Sequence, residues 1–291
     1  MSLLVNINGK YCKGDQARVS VFDRGFLYGD SVYEVVRTYG GIPFAVSEHL
    51  DRFVRSAARL EIQLPERSWL EEQIDETIKA AGNPESYCRI IVTRGSGPIT
   101  LDPTVARNPM TVLIVKELEP FADWMYTQGI KVAIPTIRRN HPAALDPAIK
   151  SGNYLNSVLA LGEAKRAGFD DALLLGTQGR ITEATSANVF LCRQGTLYTP
   201  TLQTGILQGV TRGLIIQIAK QLGIECKECD LYLEDLEKTD EVMLTGTLKE
   251  VMPVVQVGQQ TIGDGSPGPL THKLKQSLRT LALARVQARS N

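Results

Sequence analysis

Lys150 ends an irregular, proline-rich approach, HPAALDPAIK, and a small polar tripeptide, Ser151-Gly152-Asn153, follows it. Leu155, Val158, Leu159 and Gly162 then recur at helical spacing, and Ser151 or Asn153 is expected to cap that helix. The spacing thus puts a lysine at the mouth of a helix, beside the core. Burial disfavours the charged form of an amine, and a neutral lysine amine attacks carbonyl carbon. A loop lysine is ordinarily solvated, so the local pattern leaves both readings open. Glu183, in ITEATSANVF, shares a strand face with Ile181 on what reads as a central strand, and a carboxylate there needs a partner. In the helix SEHLDRFVRSAARL, Ser47 is the expected cap and Leu50, Phe53, Val54 and Ala57 the apolar stripe. Arg52, Arg55 and Arg59 then share the opposite face. A guanidinium turned toward a ligand suits a phosphate, which it grips with two parallel hydrogen bonds; periodicity does not say which of the three turns.

The elements that must position these groups follow in chain order. Residues 3 to 8 read as a strand turned by Asn8-Gly9, and residues 18 to 22 as extended. Ser31 to Tyr39 alternates, with Tyr33, Val35, Arg37 and Tyr39 on one face, and Gly40-Gly41 turns it into a hairpin. That face is either solvated or a pocket wall. Ser68 to Glu71 forms a capping box for a helix with Leu70, Ile74 and Ile78 inward and Gly82 at its end. Tyr87 to Thr93 is a strand that sets Tyr87 and Arg89 on one face, as a carboxylate clamp would need. Thr111 to Val115 closes this half, and the polar segment from Glu119-Pro120 to Gly129 is the candidate linker. Strands at Ile130 to Ile134, Ala172 to Leu175, Glu241 to Leu244 and Val251 to Val257, and a last helix from Pro269, fill the second half. Gly209 precedes a helical pattern through Leu214, Ile215, Ile218, Ala219 and Leu222. The N–H groups of Val210 and Thr211 would lie at its N-terminus, where a phosphate is favoured, although a plain Thr211 cap explains that residue equally well. Thr245-Gly246-Thr247 is a second candidate anion nest.

Composition bounds the partners. The 291 residues carry 32 basic and 32 acidic side chains, with no basic block to suggest nucleic acid or a membrane surface. The N-terminus lacks the basic start and apolar core of a signal peptide. The odd number of cysteines, five, is expected to be reduced in a cytoplasmic protein. Cys226 and Cys229 form a lone CxxC without the second pair a zinc site requires, so no metal is expected.

The order of these pieces resembles the class IV aminotransferases, the fold-type IV enzymes that use pyridoxal 5'-phosphate (PLP). The resemblance runs through YGDSVYEVVR, the EHLDR helix, KSGNYLNSVLALGEAKRAG, TEATSANVF, LQGVTR and LTGTLKEVMPV, nearly the whole chain. It implies an α/β (α+β) fold of two domains: a small α+β domain over 1–119, a linker and first strand over 120–133, and a larger, barrel-like PLP-binding domain over 134–291. It implies that Lys150 is the Schiff-base lysine and moves the proton during transamination. Glu183 would pair with the pyridine nitrogen, Arg52 would bind the phosphate with Val210, Thr211 and Thr247, and Tyr154 would hydrogen-bond the 3′ oxygen. Homodimers or higher homo-oligomers are implied as well.

The family includes branched-chain and D-amino acid aminotransferases, R-selective amine transaminases and aminodeoxychorismate lyases. Tyr28 and Tyr87-x-Arg89 resemble the substrate pocket of the branched-chain enzymes, where Thr247 and the N–H of Leu248 would join them. Tyr33 stands where those enzymes usually carry phenylalanine and looks more like the D-amino acid enzymes, as does TRGSGPITLDP. The arginine and histidine that D-amino acid enzymes use for carboxylate capture are missing from Ser96 to Asp102. The expectation is transamination of a branched-chain L-amino acid against a 2-oxo acid such as 2-oxoglutarate. A D-amino acid or R-amine transaminase, the lyase, and a non-catalytic PLP-binding protein are the alternatives. Tyr33 and Arg37 are placed at the pocket without an assigned role, and that of Arg107 stays open.

Overall fold

Alternating apolar residues in the first 119 positions build a six-stranded antiparallel sheet. Its strands are β1 (Leu4–Ile7), β2 (Lys10–Lys13), β3 (Ser31–Tyr39), β4 (Ile42–Pro43), β5 (Ser86–Thr93) and β6 (Met110–Glu117), in the order β2-β1-β6-β5-β3-β4. The computed structural model describes residues 3–290. Helices α1 (Arg24–Tyr28), α2 (Val46–Leu60) and α3 (Arg67–Ala81) accompany this sheet. Val32, Val36, Cys88, Ile90 and Val92 form one core with Leu50, Phe53 and Ala57 of α2 and Leu70, Ile74 and Ile78 of α3. Each large side chain buried there contributes about 1.5–3 kcal/mol. The alternate residues of β3 and β5 carry the other face: Tyr33, Val35 and Arg37 lie opposite Ile91, Arg89 and Tyr87.

Four local expectations in this part need correction. Residues 18 to 22 form no strand; the partner of β1 is β2, reached through Asn8 and Gly9 at φ 50° and 83°, the positive values a two-residue hairpin turn requires. Ser47 lies inside α2, which starts from Ala45 without a side-chain cap, and its hydroxyl instead accepts from Arg67 Nη2 at 2.8 Å. Ser68 is not a cap either, because α3 already begins at Arg67; Glu71 accepts from Arg67 Nε at 3.0 Å. Within α2, Val54 is exposed while Arg52 is buried, so Arg52 does not share the solvated face of Arg55 and Arg59.

The remaining strands are β7 (Ile130–Ala133), β8 (Asp171–Leu175), β9 (Ile181–Ala184), β10 (Asn188–Arg193), β11 (Thr196–Pro200), β12 (Cys226–Cys229), β13 (Glu241–Gly246), β14 (Glu250–Val257) and β15 (Gln260–Thr261). They form a nine-stranded sheet in the order β12-β11-β10-β13-β14-β7-β8-β9, with β15 paired to β14. The β11–β12, β14–β7 and β7–β8 pairs are parallel. Helices α4 (Asp123–Thr127), α5 (Leu155–Arg166), α6 (Val210–Gln221) and α7 (Pro269–Ser290) complete the chain. The expected linker thus contains α4. Strand β9 ends the ladder rather than standing at its centre. Its outer groups are still satisfied, since Ile181 N–H donates to Leu231 O at 2.7 Å and Ala184 N–H to Ala187 O at 2.8 Å, and all four residues are buried.

The apolar stripe expected on α5 also faces the other way. Its inward residues are Ser157, Ala160 and Ala164, and the two alanines pack against Ala172 and Leu174 of β8. Small residues let the helix lie close to the strand, while Leu155, Val158 and Leu159 are 74%, 57% and 56% exposed. Nor do Ser151 or Asn153 cap α5: Tyr154 precedes its first residue without a capping side chain. Cys226 and Cys229, three apart on β12, point to opposite faces of the strand, and all five cysteines are free thiols.

The chain separates into two units. The first runs to Glu119 and also holds Ile149–Asn153 and the stretch from Ala282; the second holds Pro120–Ala148 and Tyr154–Leu281. Lys150, expected within 134–291, therefore belongs to the first unit.

Candidate active site

Lys150 is held by backbone pairing onto β3. Tyr33 N–H donates to Lys150 O at 3.0 Å, Gly152 N–H to Ser31 O at 2.9 Å, and Lys150 N–H to Ser56 Oγ at 3.1 Å. The pairing needs a glycine at 152, where an added Cβ would come within 2.5 Å of Ser31 Oγ and 3.0 Å of Gly29 O. This fixes the lysine's Cα and leaves its side chain to reach Tyr33. Lys150 Nζ donates to the Tyr33 hydroxyl at 3.4 Å and stands 4.4 Å from the ring centroid. The Arg89 guanidinium carbon lies 4.0 Å from the same ring. Tyr33 therefore touches two cationic side chains, and the alternation of β3 and β5 places Arg37 and Tyr87 on that face too. Arg37 stacks over Tyr39 at 4.2 Å, and Tyr28, at the end of α1, lies 4.9 Å from Arg24. Arg107, exposed, donates Nη1 to Thr104 O and Ala106 O at 2.8 Å each, which holds its own loop.

On the core face of β3 sits a buried charged cluster. Arg52 donates Nε to Glu34 Oε1 at 2.7 Å and Nη2 to Glu34 Oε2 at 2.8 Å, and His49 Nδ1 is 2.8 Å from Oε2. Burial alone would push the Glu34 carboxyl up; the charge and fork of Arg52, with His49, overcome it and hold it well below the usual carboxylate range. Burial pushes the His49 imidazole down against the pull of Glu34, and the charges of Arg52 and Lys150 lower it further. The neutral ring must then carry its proton on Nδ1, because an ionised carboxylate only accepts.

In the second unit Glu183 is buried and engaged on both oxygens. Oε1 accepts from Arg139 Nη2 at 2.6 Å; Oε2 accepts from Leu207 N–H at 3.0 Å and Asn188 Nδ2 at 3.2 Å. Arg139 Nη1 in turn donates to Asn156 Oδ1 at 3.2 Å, and Asn156 Nδ2 to Arg138 O at 2.8 Å. A carboxylate oxygen has two acceptor positions, and Oε1 has one donor among the described residues, which suits it to a further N–H. Gly209 is the N-cap of α6, and Thr211 is buried inside the first turn, which removes the plain Thr211 cap as an explanation. The first-turn N–H groups of Val210 and Thr211 have no acceptor within the helix and lie at its positive end. Thr245 Oγ1 is buried without a hydrogen-bond partner among the described residues. Thr247 and Leu248 follow in the half-buried turn after β13, and half-buried Tyr154 stands at the start of α5.

The first unit thus carries a lysine amine against a tyrosine, and the second a buried carboxylate and helix-terminal donors. The family model described as amino-transferase class IV matches residues 31–257. This chain belongs to the class IV aminotransferases. It is 40% identical over 280 residues to a putative branched-chain-amino-acid aminotransferase of Methanocaldococcus jannaschii, covering 95% of this chain and 96% of that one. It is 32% identical over 281 residues to a D-alanine aminotransferase of Bacillus licheniformis, covering 96% and 97%. A T.th. branched-chain amino acid aminotransferase, solved in complex with N-(5'-phosphopyridoxyl)-L-glutamate, superposes with a TM-score of 0.91 at 31% identity, covering 98% of this chain and 95% of that one.

For a class IV aminotransferase the residues expected from sequence fall into two sets. The first unit brings Lys150, Tyr33 and Arg89 into contact and sets Arg37 and Tyr87 beside them on one sheet face. The second unit carries Glu183, Val210, Thr211, Thr247, Leu248 and Tyr154. Sequence reasoning missed Glu34 and His49, which hold Arg52, and Arg139, Asn156 and Asn188, which surround Glu183. The need of Glu183 for a partner was the one available signal for the latter group. Nothing in the spacing named Arg139, which lies in an irregular segment 44 residues away.

Proposed function

We propose that this aminotransferase uses PLP to move the amino group of a branched-chain L-amino acid to a 2-oxo acid such as 2-oxoglutarate. The observation that carries it is the pair Tyr87 and Arg89 on the sheet face of Tyr33, in a chain 40% identical to a putative branched-chain-amino-acid aminotransferase. The donor set fits the cofactor. The family resemblance assigns Arg52, Val210, Thr211 and Thr247 to the phosphate, Glu183 to the protonated ring nitrogen and Tyr154 to the 3′ oxygen. When bound, PLP supplies an electron sink for the bond broken at the substrate's α-carbon. Lys150 would hold the cofactor through its amine and, once freed by the substrate amine, would act as the base that takes the proton from the substrate's α-carbon and returns it later. Arg89, Tyr87, Tyr28, Tyr33, Arg37, Thr247 and the Leu248 N–H are assigned to the substrate, with Arg89 as the carboxylate partner.

A second reading, a D-amino acid aminotransferase, is favoured by the Tyr33 hydroxyl at the lysine and by the D-alanine aminotransferase relative. Adding single amino donors to the yellow holoenzyme and following its visible absorption separates them. L-leucine is expected to bleach the band; bleaching by D-alanine or R-phenylethylamine alone overturns the L-amino acid reading. No bleaching by any amine, with pyruvate released from aminodeoxychorismate, identifies a lyase, and no change at all a non-catalytic binder.

We further infer a homodimer in the cytoplasm. The three large side chains exposed along α5, Leu155, Val158 and Leu159 at i, i+3 and i+4, make an apolar stripe that a second copy would cover. Free thiols agree with a reducing compartment, and no helix among the described residues is long and apolar enough to cross a membrane. Sedimentation equilibrium is expected to give twice the chain mass, with Leu155→Glu plus Leu159→Glu shifting it toward one; a wild-type monomer would remove this reading.

A further inference from the structure

We propose that Glu34 is a positioning residue for the cofactor phosphate, acting by presetting the guanidinium of Arg52, and that His49 holds Glu34 in turn. This rests on the reading of Arg52 as a phosphate ligand. Both oxygens of Glu34 are taken by the Arg52 fork, through Nε at 2.7 Å and Nη2 at 2.8 Å, and His49 Nδ1 adds a third donor at 2.8 Å. Glu34 is 0% exposed. It stands on β3 between Tyr33, which touches Lys150, and Val35, with Val32 and Val36 in the apolar core beside it.

Burying such a pair in an apolar core is a poor way to gain stability, since the desolvation of both ions offsets their attraction. What the fork does supply is order. An arginine has the rotamer entropy of a long side chain to lose, and ordering a side chain before its ligand arrives removes that cost from binding. The fork therefore fixes the plane and direction of the guanidinium before a phosphate arrives. His49, kept neutral by its burial, donates rather than repels and locks the Glu34 carboxylate plane. One strand thus serves two ends of the cofactor: Tyr33 on one face contacts the lysine, and Glu34 on the other orients the arginine.

Apoprotein titrated with PLP and with pyridoxal, its phosphate-free analogue, tests this, because the ratio of the two dissociation constants isolates the phosphate contribution. Arg52→Met is expected to collapse the ratio. Glu34→Gln is expected to lower it about tenfold while pyridoxal affinity changes about twofold or less, and His49→Gln to lower it by a smaller factor. If Arg52→Met leaves the ratio intact, the phosphate reading of Arg52 fails and the proposal with it. If Arg52→Met collapses the ratio and Glu34→Gln weakens both ligands equally, Arg52 keeps its role and Glu34 is merely structural, which overturns the proposal. Should Glu34→Gln fail to fold, Glu34→Asp decides. It keeps the charge but is one methylene too short for the fork, so a reduced ratio is expected and an unchanged one overturns the proposal.

Discussion

Lys150→Ala protein is expected to lose turnover by about two to four orders of magnitude, the range lost when a positioned proton-transfer group is removed. On the proposed assignment two functions would go with the one amine: the covalent hold on the cofactor and the proton carrier at the α-carbon. The fold should survive, because the residue is held through its backbone. Tyr33 N–H to Lys150 O, Gly152 N–H to Ser31 O and Lys150 N–H to Ser56 Oγ are all available to alanine. Circular dichroism and melting temperature are therefore expected to stay near wild type while single-turnover deamination of the donor is lost. Cofactor retention should also fall, measured as absorbance after gel filtration. Normal turnover in this variant would exclude Lys150 from the chemistry.

Glu183→Gln should cost activity and stability through separate routes. An amide lacks the negative charge that keeps a ring nitrogen protonated, and the loss of one preorganised electrostatic partner lowers turnover by about two to three orders of magnitude. It also strips Arg139 of its anionic partner. The Arg139 side chain is 15% exposed, and leaving a buried charge unpaired costs about 3–5 kcal/mol. The two routes separate in a double variant. Glu183→Gln with Arg139→Met removes both charges, so denaturant midpoints should recover much of the loss while kcat does not. Recovery of kcat in the double variant would mean that Glu183 matters only as a structural counter-ion.

How much of this could be read from sequence depends on what carried the signal. The alternation from Ser31 to Tyr39 and from Tyr87 to Thr93 located β3, β5 and their two faces, because Val32, Val36, Cys88, Ile90 and Val92 recur at every second or fourth position toward the core. Leu70, Ile74 and Ile78 of α3 were legible for the same reason. On α5 the rule failed, since Ala160 and Ala164 pack inward where close approach matters, and the larger residues point out. The caps failed where Ala45, at φ 55°, starts α2 by backbone geometry and Arg67 recruits both Ser47 and Glu71. Among the proposed site residues, Lys150, Glu183 and Arg52 stood in the stretches that carry the family resemblance. Their holders did not: Glu34 looked like one polar position on a strand, and Arg139 like one more arginine in a loop. Long-range pairs of this kind leave no local period.

The docking of Ile149–Asn153 on β3 has a further consequence for the first sheet. On one side of β3, β5 pairs along its length from Ser31 to Arg37; on the other, β4 covers only Thr38 and Tyr39. The remaining edge near Ser31 to Tyr33 is closed by Lys150 and Gly152, with Ser151 bridged to Val32. The peptide of Lys150 is thus an edge guard. A fragment ending at Glu119 would leave those backbone groups unpaired, and such an edge recruits strands from other chains. Because the guard lies 117 residues from Tyr33, it is also among the later pairings the chain can make. During synthesis the nascent sheet stays open along that edge until the lysine has emerged.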